Sequence, residues 1–239
     1  MKEHSSEEFL SEQIRYYDAR ASEYDDWFLR LGRFERGEDH RNRWEAEVQV
    51  VRDQLVTAGP RGHTLEIACG TGIWTQLLAQ SADDVLAVDA SEPMLTKAKV
   101  RIAATNVNFM HADIYHWRPK LRFDFIFFSF WISHIPTDRF ESFWSFVNDA
   151  LATDGTVFFV DSLYNPETSA KDHQTPSRSG IVERKLNDGR TYSIIKIFHE
   201  PYQLQSKLKT LGWNGTVRTT GEFFYVGNFT KDHAGLHGI

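Results

Sequence analysis

Thr64-Leu65-Glu66-Ile67-Ala68-Cys69-Gly70-Thr71-Gly72-Ile73-Trp74-Thr75 joins a short apolar run to a segment of helical composition that continues to Ala79, so its two glycines fall at a strand-to-helix turn. Glycine reaches φ > 0 without steric cost and lets a ligand approach bare main chain, which makes nucleotide-shaped molecules the natural guests of such a turn.

The neighbouring residues separate three ligand classes. A phosphate-gripping P-loop needs Lys followed by Ser or Thr after its last glycine, and Ile73-Trp74 stand there instead. A dinucleotide fingerprint wants a third small residue where this chain has Thr75, which weakens a nicotinamide coenzyme and leaves it open as an alternative. Glu66 places a carboxylate just ahead of the loop, where pyrophosphate is repelled and a cation is welcome. The sulfonium and ammonium of S-adenosylmethionine answer that description.

Glu66-Ile67-Ala68-Cys69-Gly70-Thr71-Gly72, then Val85-Leu86-Ala87-Val88-Asp89-Ala90-Ser91 with Met94, then His111-Ala112-Asp113, then Phe123-Asp124-Phe125-Ile126-Phe127-Phe128 resemble the successive motifs of class I S-adenosylmethionine-dependent methyltransferases. The resemblance covers roughly Tyr16 to Phe229. It implies an α/β, Rossmann-like fold: a seven-stranded, mostly parallel sheet with the last strand antiparallel and helices on both faces. An N-terminal helical lid and an inserted β-hairpin cap complete it.

One domain over 1–239 is expected, with 1–58 as lid and first helices and 162–199 as a substrate-cap loop and hairpin. The net charge of −6, with both signs spread along the chain, offers no basic patch for nucleic acid. Cys69 is the single cysteine, so no internal disulfide forms. Met1–Glu8 is polar, and no stretch reaches the uncharged length that spans a bilayer, so a soluble cytoplasmic protein, monomer or homodimer, is expected. Histidines fall singly, and His111, Asp113 and His116 match no standard ligand spacing, so no metal is expected.

In chain order, Ser5 and Glu8 resemble a capping box for a first helix toward Ala19. Tyr16-Tyr17-Asp18-Ala19-Arg20-Ala21-Ser22-Glu23-Tyr24-Asp25 is similar to the segment that folds over the cofactor in small-molecule methyltransferases; the alternative is an amphipathic helix packed on the domain. Trp44, Val48, Val51 and Leu55 recur at helical spacing before Gly59-Pro60. A strand over 85–90 precedes a helix capped by Ser91, and strands follow at 107–112 and 123–130. Thr137 is expected to cap a helix bearing Phe140, Phe143, Trp144, Val147 and Leu151, and Asp154-Gly155 to turn the chain into strand 156–161. A polar loop over 163–180 leads to a hairpin around Asp188-Gly189. A helix from Pro201 to near Gly212 and strands near 213–219 and 222–229 close the sheet, with a loose tail after Lys231.

The resemblance implies a cofactor site built from Tyr16, Arg20, Tyr24, Glu66, Ala68, Gly70, Gly72, Trp74, Thr75, Asp89, Ala90, Met94, Ala112, Asp113, Ile114, Phe128 and Ser129. Within it Asp89 takes the ribose hydroxyls, and Asp113 with the Ile114 amide reads adenine; as a strand-end Asp, Asp113 is alternatively a helix cap. The loop after strand 123–130 opens at the carboxyl edge of the sheet, where open α/β sheets place ligands. Phe130, Trp131, Asp161, Arg178 and Tyr192 are candidate substrate contacts, with Arg184 and Arg190 on the same hairpin. His134 is the candidate general base; the alternative is a polar loop residue before Pro136. The expected reaction is in-line methyl transfer to an oxygen or nitrogen of a small aromatic or heteroaromatic acceptor, leaving S-adenosylhomocysteine. A nicotinamide-dependent oxidoreductase and a non-catalytic binding module are the alternatives.

Overall fold

Runs with apolar side chains on both faces are stable only between two layers. The strands β1 (His63–Ile67), β2 (Asp84–Asp89), β3 (Val107–His111) and β4 (Phe123–Ser129) lie side by side in parallel, with Leu65 opposite both Leu86 and Ile126. The computed structural model describes residues 6–173 and 180–232; Ser5 of the expected capping box, Arg178 and the tail from residue 233 lie outside the described residues.

The chain enters through α1 (Ser6–Arg20), α2 (Tyr24–Phe28) and α3 (Glu38–Ala58), and α3 ends on Gly59 in the left-handed region. The helices α4 (Thr75–Ala79) and α5 (Glu92–Arg101) then alternate with the parallel strands, and the Ser91 hydroxyl caps α5 by accepting from the Met94 amide. After β4 come α6 (Phe140–Ala150), β5 (Leu151–Ser162), a separate hairpin of β6 (Ile181–Lys185) and β7 (Thr191–Ile195), α7 (Pro201–Thr210), β8 (Trp213–Thr219) and β9 (Phe224–Lys231). The order across the sheet is β3-β2-β1-β4-β5-β9-β8, with β9 antiparallel to both of its neighbours.

Alternation along β4 splits the interior in two. Phe125 and Phe127 pack with Trp44, Val51 and Leu55 of α3, Leu78 of α4 and Leu95 of α5. Ile126 and Phe128 pack on the opposite face with Phe143, Trp144 and Val147 of α6 and Leu204 and Leu208 of α7. A third, smaller cluster joins Tyr16 of α1 to Val182, Leu186 and Ile194 around the hairpin, so the first helix and the hairpin are packed against one another.

Most strand ends shift by a residue or two, and two features differ more from expectation. Leu151 belongs to β5 rather than to the preceding helix, and the shift of pairing between Phe123↔Leu151 and Phe125↔Thr156 absorbs Asp154-Gly155 inside the strand. Thr137 opens a short 3-10 turn, Thr137–Arg139, and makes no side-chain cap to α6.

Gly72 has φ +79°, and a Cβ there would stand 3.2 Å from the Ala98 Cβ and 3.3 Å from its Cα. Its role is therefore to seat α5 against the loop. Gly72→Ala should cost about 2 kcal/mol of stability, through strain at positive φ and displacement of Ala98. Scanning calorimetry should show the melting temperature roughly 4–8 °C lower in a chain of this size.

Candidate active site

The carboxyl ends of the first four strands, roofed by α1, enclose a cavity of about 780 Å³, mouth included. Ala68 and Gly70 come from the end of β1, Asp89, Ala90 and Ser91 from β2, Ala112, Asp113 and Ile114 from β3, and Ser129, Phe130 and Trp131 from β4; Leu10, Gln13, Ile14 and Tyr17 of α1 and Tyr24 of α2 cover them. Ala68 and Phe130 take left-handed backbone at φ 53° and 51°. Non-glycine residues hold that conformation only where surrounding contacts impose it. For Phe130 these are the bond from its amide to the Val160 carbonyl and the edge-on contact of its ring with Trp27, at 4.8 Å between centroids.

Asp89 is the electrostatic centre of this cavity. Its carboxylate accepts from the Gly70 and Ser91 amides, both at 2.8 Å, and so ties the glycine turn to the end of β2. Burial pushes its pKa up to about 6, against the pull of those two amides. Asp113 is partly engaged already, accepting from the Tyr115 amide at 2.9 Å and pairing with His116 at 2.9 Å. Three buried polar atoms of cavity-lining residues have no partner among the described residues: Gln13 Oε1, Tyr115 Oη and Trp131 Nε1. Buried donors and acceptors of that kind are normally satisfied. A flat apolar slot beside Met94 and Ile114, with loose donors, acceptors and a carboxylate around it, fits an adenosyl group.

A second cavity of about 600 Å³ adjoins the first, and only Tyr17, Tyr24 and Phe130 line both. Its walls include Tyr16, Trp27, Phe34 and Phe198, but its chemistry is cationic, with Arg20, Arg184 and Lys196 facing inward alongside His134 and His173. Lys196 donates to the Ser133 hydroxyl at 2.8 Å and lies 3.4 Å from Asp161, which is fully buried and also accepts from the Ser133 and Ser162 amides. Burial presses the Lys196 ammonium down, Asp161 supports it, and Arg184 and Arg20 press it down further. Arg184 is itself buried and lowered, first by desolvation. No ion pair or hydrogen bond among the described residues reaches the Arg20 or Arg184 guanidinium; Arg20 lies over the Tyr24 and Tyr16 rings at 5.0 and 5.5 Å.

His134 lines this second cavity, but its ring is committed on both sides. One nitrogen, Nδ1, lies 2.6 Å from the Ile195 carbonyl, which can only accept, so Nδ1 carries the proton. Nε2 must then accept from the Tyr17 hydroxyl at 3.0 Å. Burial, with the charge of Lys196 adding to it, lowers the pKa to about 3. The expectation of a free general base is corrected on both grounds: His134 is a neutral acceptor that holds Tyr17.

Other expected cofactor residues are displaced. Glu66 lines neither cavity; it is buried under the turn, accepts from the Thr75 hydroxyl at 2.6 Å, and is pushed by burial to about 8, toward its neutral form. Thr75 is occupied by that bond. Trp74 is core, edge-on to Phe28 and tilted against Phe127, and Phe128 is core between Phe143, Trp144 and Phe159. Gly72 faces Ala98 rather than a ligand. Tyr16 and Arg20 belong to the second cavity, Trp131 to the first. Asp161 lines neither cavity; its bonded neighbours Lys196 and Ser162 line the second. Tyr192 lines neither, its ring against Tyr16 and its hydroxyl accepting from Arg190, which is exposed and paired with Asp188. Because Glu66 lies outside the cavity and burial pushes it toward the neutral form, Glu66→Gln should leave donor affinity within about twofold of wild type by titration calorimetry, an isosteric exchange that keeps the Thr75 bond.

Among the described residues no cluster of His, Cys, Asp or Glu is arranged to hold a metal ion, and no helix is long and apolar enough to cross a membrane.

A doubly wound sheet with a glycine turn after β1 and a carboxylate at the end of β2 defines a Rossmann-like domain for an adenosyl ligand. Comparison with known proteins narrows that class. A family model described as a methyltransferase domain matches residues 64–155. DhpI in complex with SAH superposes with a TM-score of 0.80 at 34% identity, over 96% of this chain and 100% of that one. A DhpI-SAM-HEP complex gives 0.79 at 34% identity, over 95% and 99%. A trans-aconitate 2-methyltransferase of Acidovorax ebreus is 34% identical over 104 residues, 43% of this chain and 37% of its own length. An uncharacterized methyltransferase of Mycobacterium tuberculosis is 30% identical over 99 residues, 40% of this chain and 50% of its own. The chain therefore spans half or less of the length of these curated relatives. It belongs to the class I S-adenosylmethionine-dependent methyltransferases, with S-adenosylmethionine as methyl donor and S-adenosylhomocysteine as product. The nicotinamide alternative falls with that result.

Proposed function

We propose that the chain methylates an oxygen or nitrogen of a small acceptor carrying an anionic group, held in the second cavity. The observation that carries this reading is the convergence of Arg20, Arg184 and Lys196 on one enclosed space, where Asp161 pairs with Lys196 alone. Confined like charges that repel one another are stabilised when an anion enters, and guanidinium forks match phosphonate, phosphate or carboxylate oxygens. The rings of Trp27, Phe130 and Phe198 offer apolar contact to the rest of the molecule, which accommodates an aromatic body without requiring one. A curated relative named for trans-aconitate, an anionic acceptor, supports the same reading.

The donor supplies a methyl on cationic sulfur; the new bond forms with an acceptor lone pair as the C–S pair returns to sulfur, and the acceptor loses a proton or a negative charge. The protein's own contribution is alignment. Asp89 and the turn at Gly70 fix one partner, the cation cluster fixes the other, and Tyr17, Tyr24 and Phe130, which line both cavities, stand between them. Residues of α1 over both spaces keep water out.

The test is an acceptor screen with labelled S-adenosylmethionine, read by mass spectrometry. It pairs small phosphonates, phosphates and carboxylates with neutral amides or esters of the same shape. Methylated product should appear with the anionic members. Equal turnover of the neutral isosteres would remove the proposal.

A further inference from the structure

The segment 163–173 that follows β5 belongs to no strand, yet Thr168, Ser169 and His173 in it line the second cavity. Its shape is imposed from elsewhere. Backbone carbonyls outside a sheet need donors, and this segment draws them from the connection between α2 and α3. Arg30 Nη2 donates to the Glu167 carbonyl at 2.7 Å, and Nη1 to the Thr168 carbonyl at 3.2 Å. Arg36 donates to the Glu167 carbonyl at 2.9 Å and to that of Ser169 at 3.3 Å. The Trp27 indole adds a bond to the Thr168 carbonyl at 3.0 Å. Three consecutive carbonyls are thus spent on side chains, and neither arginine lines either cavity. Arg30 is 1% exposed, holds left-handed backbone at φ 56°, and lies over the Trp44 ring at 4.4 Å. A non-glycine residue keeps that backbone, and a guanidinium that burial, only where contacts impose both.

We propose that Arg30 and Arg36 are positioning residues of the second cavity: they hold the carbonyls of Glu167, Thr168 and Ser169 off the enclosed space, so that the acceptor's anionic group meets no peptide oxygen there. This rests on the anion reading above. The negative end of a peptide dipole repels an anion in a confined space, and three such ends together would oppose Arg20, Arg184 and Lys196. Guanidinium suits the task because one planar fork serves two adjacent carbonyls at once. The amides of the same turn are engaged as well. Those of Glu167, Thr168 and Ser169 donate to Asn165 Oδ1, the Asn165 carbonyl and the Pro166 carbonyl. With both kinds of main-chain group bonded, Thr168 and Ser169 meet a ligand through their side chains.

The experiment compares wild type, Arg30→Met, Arg36→Met and the double variant, with melting curves to show that each is folded. Hydrogen exchange of the whole protein, read by mass spectrometry, follows the amides of residues 166–171. Each single variant should speed their exchange about threefold and the double variant more than about tenfold, because only the double strips the Glu167 carbonyl of both donors. Exchange in β1 and β4 and the affinity for S-adenosylhomocysteine should stay within about twofold, since neither arginine lines the donor cavity. With S-adenosylhomocysteine bound, methylphosphonate should bind the double variant at least about tenfold more weakly than wild type. Unchanged exchange over 166–171 would overturn the proposal, and so would equal weakening of both ligands, the mark of a merely structural loss. Failure of wild type to bind methylphosphonate would remove the anion reading and with it the purpose assigned to the arginines, while the exchange data separately show whether they hold the segment. If the double variant does not fold, the single variants decide: exchange as slow as wild type in both refutes the proposal.

Discussion

Arg184→Met should raise the acceptor KM about a hundredfold while leaving donor affinity within twofold and raising the melting temperature. The two effects have opposite signs for one reason. Arg184 is buried, lowered by desolvation and faced by Arg20, with no anion answering it among the described residues, so in the free protein its charge is a cost. Methionine has a similar reach and no charge, and a buried ion replaced by a well-packed apolar side chain commonly stabilises a fold. With an acceptor in place the same guanidinium becomes half of a buried charge pair, and truncating one half of such a pair costs roughly 2–5 kcal/mol. Donor binding is spared because Arg184 lines only the second cavity. Arg184→Lys should lie between, retaining charge but not the planar fork. Initial rates against acceptor concentration, donor calorimetry and scanning calorimetry check the three parts; an unchanged acceptor KM would dismiss the cation cluster as a recognition device.

Asp89→Asn should weaken donor binding by about two to three orders of magnitude. The carboxylate has both oxygens in use, one on the Gly70 amide and one on the Ser91 amide. Asparagine retains one acceptor and turns an NH2 toward the other amide, so the turn loses an anchor just where the donor must lie. The ribose hydroxyls that this residue is expected to accept lose their charged partner as well. Bonds to a charged group contribute about 1.5–3 kcal/mol each, and two of them set the scale. The pH dependence follows from the direction of the shift. Burial raises the carboxyl from 3.8 to about 6, so as pH rises between those values the unfolded chain has already released a proton that the folded one keeps, and stability without ligand falls. A donor that pairs with the ionised form binds progressively more weakly as pH drops through about 6. Calorimetry across pH 5 to 8 should show that step in wild type and its loss in the variant; a flat wild-type profile would contradict the assignment.

The sheet could be read from the chain because its strands are long apolar runs with turn residues at their ends, and Asp89, Asp113 and Ser129 stand at strand ends where a parallel sheet gathers its ligand contacts. Part of the rest was visible in periodicities of the sequence. Leu10, Ile14 and Tyr17 recur at helical spacing on α1, the pattern of a single face. Val182, Arg184 and Leu186 alternate with Glu183 and Lys185, which puts Arg184 on the covered side of the hairpin while Arg190 stays in solvent. The remainder depends on distance between remote segments. Lys196 becomes a site residue because β7 ends near Asp161, and Glu66 is pushed toward its neutral form because the surrounding core closes over it, against the bond from Thr75; no local pattern encodes either. His134 sits in the expected place, and only the Ile195 carbonyl and Tyr17 reveal that its lone pair is taken.

The helix α1 gives Leu10, Gln13 and Ile14 to one ligand and Tyr16 and Arg20 to the other, with Tyr17 shared. A substitution at Tyr17 alters the walls of both cavities, whereas one at Tyr16 or Arg20 alters the second alone. Divergence toward new acceptors within this architecture is therefore open to every position that faces one cavity only, on α1 as on the hairpin and at the end of β7.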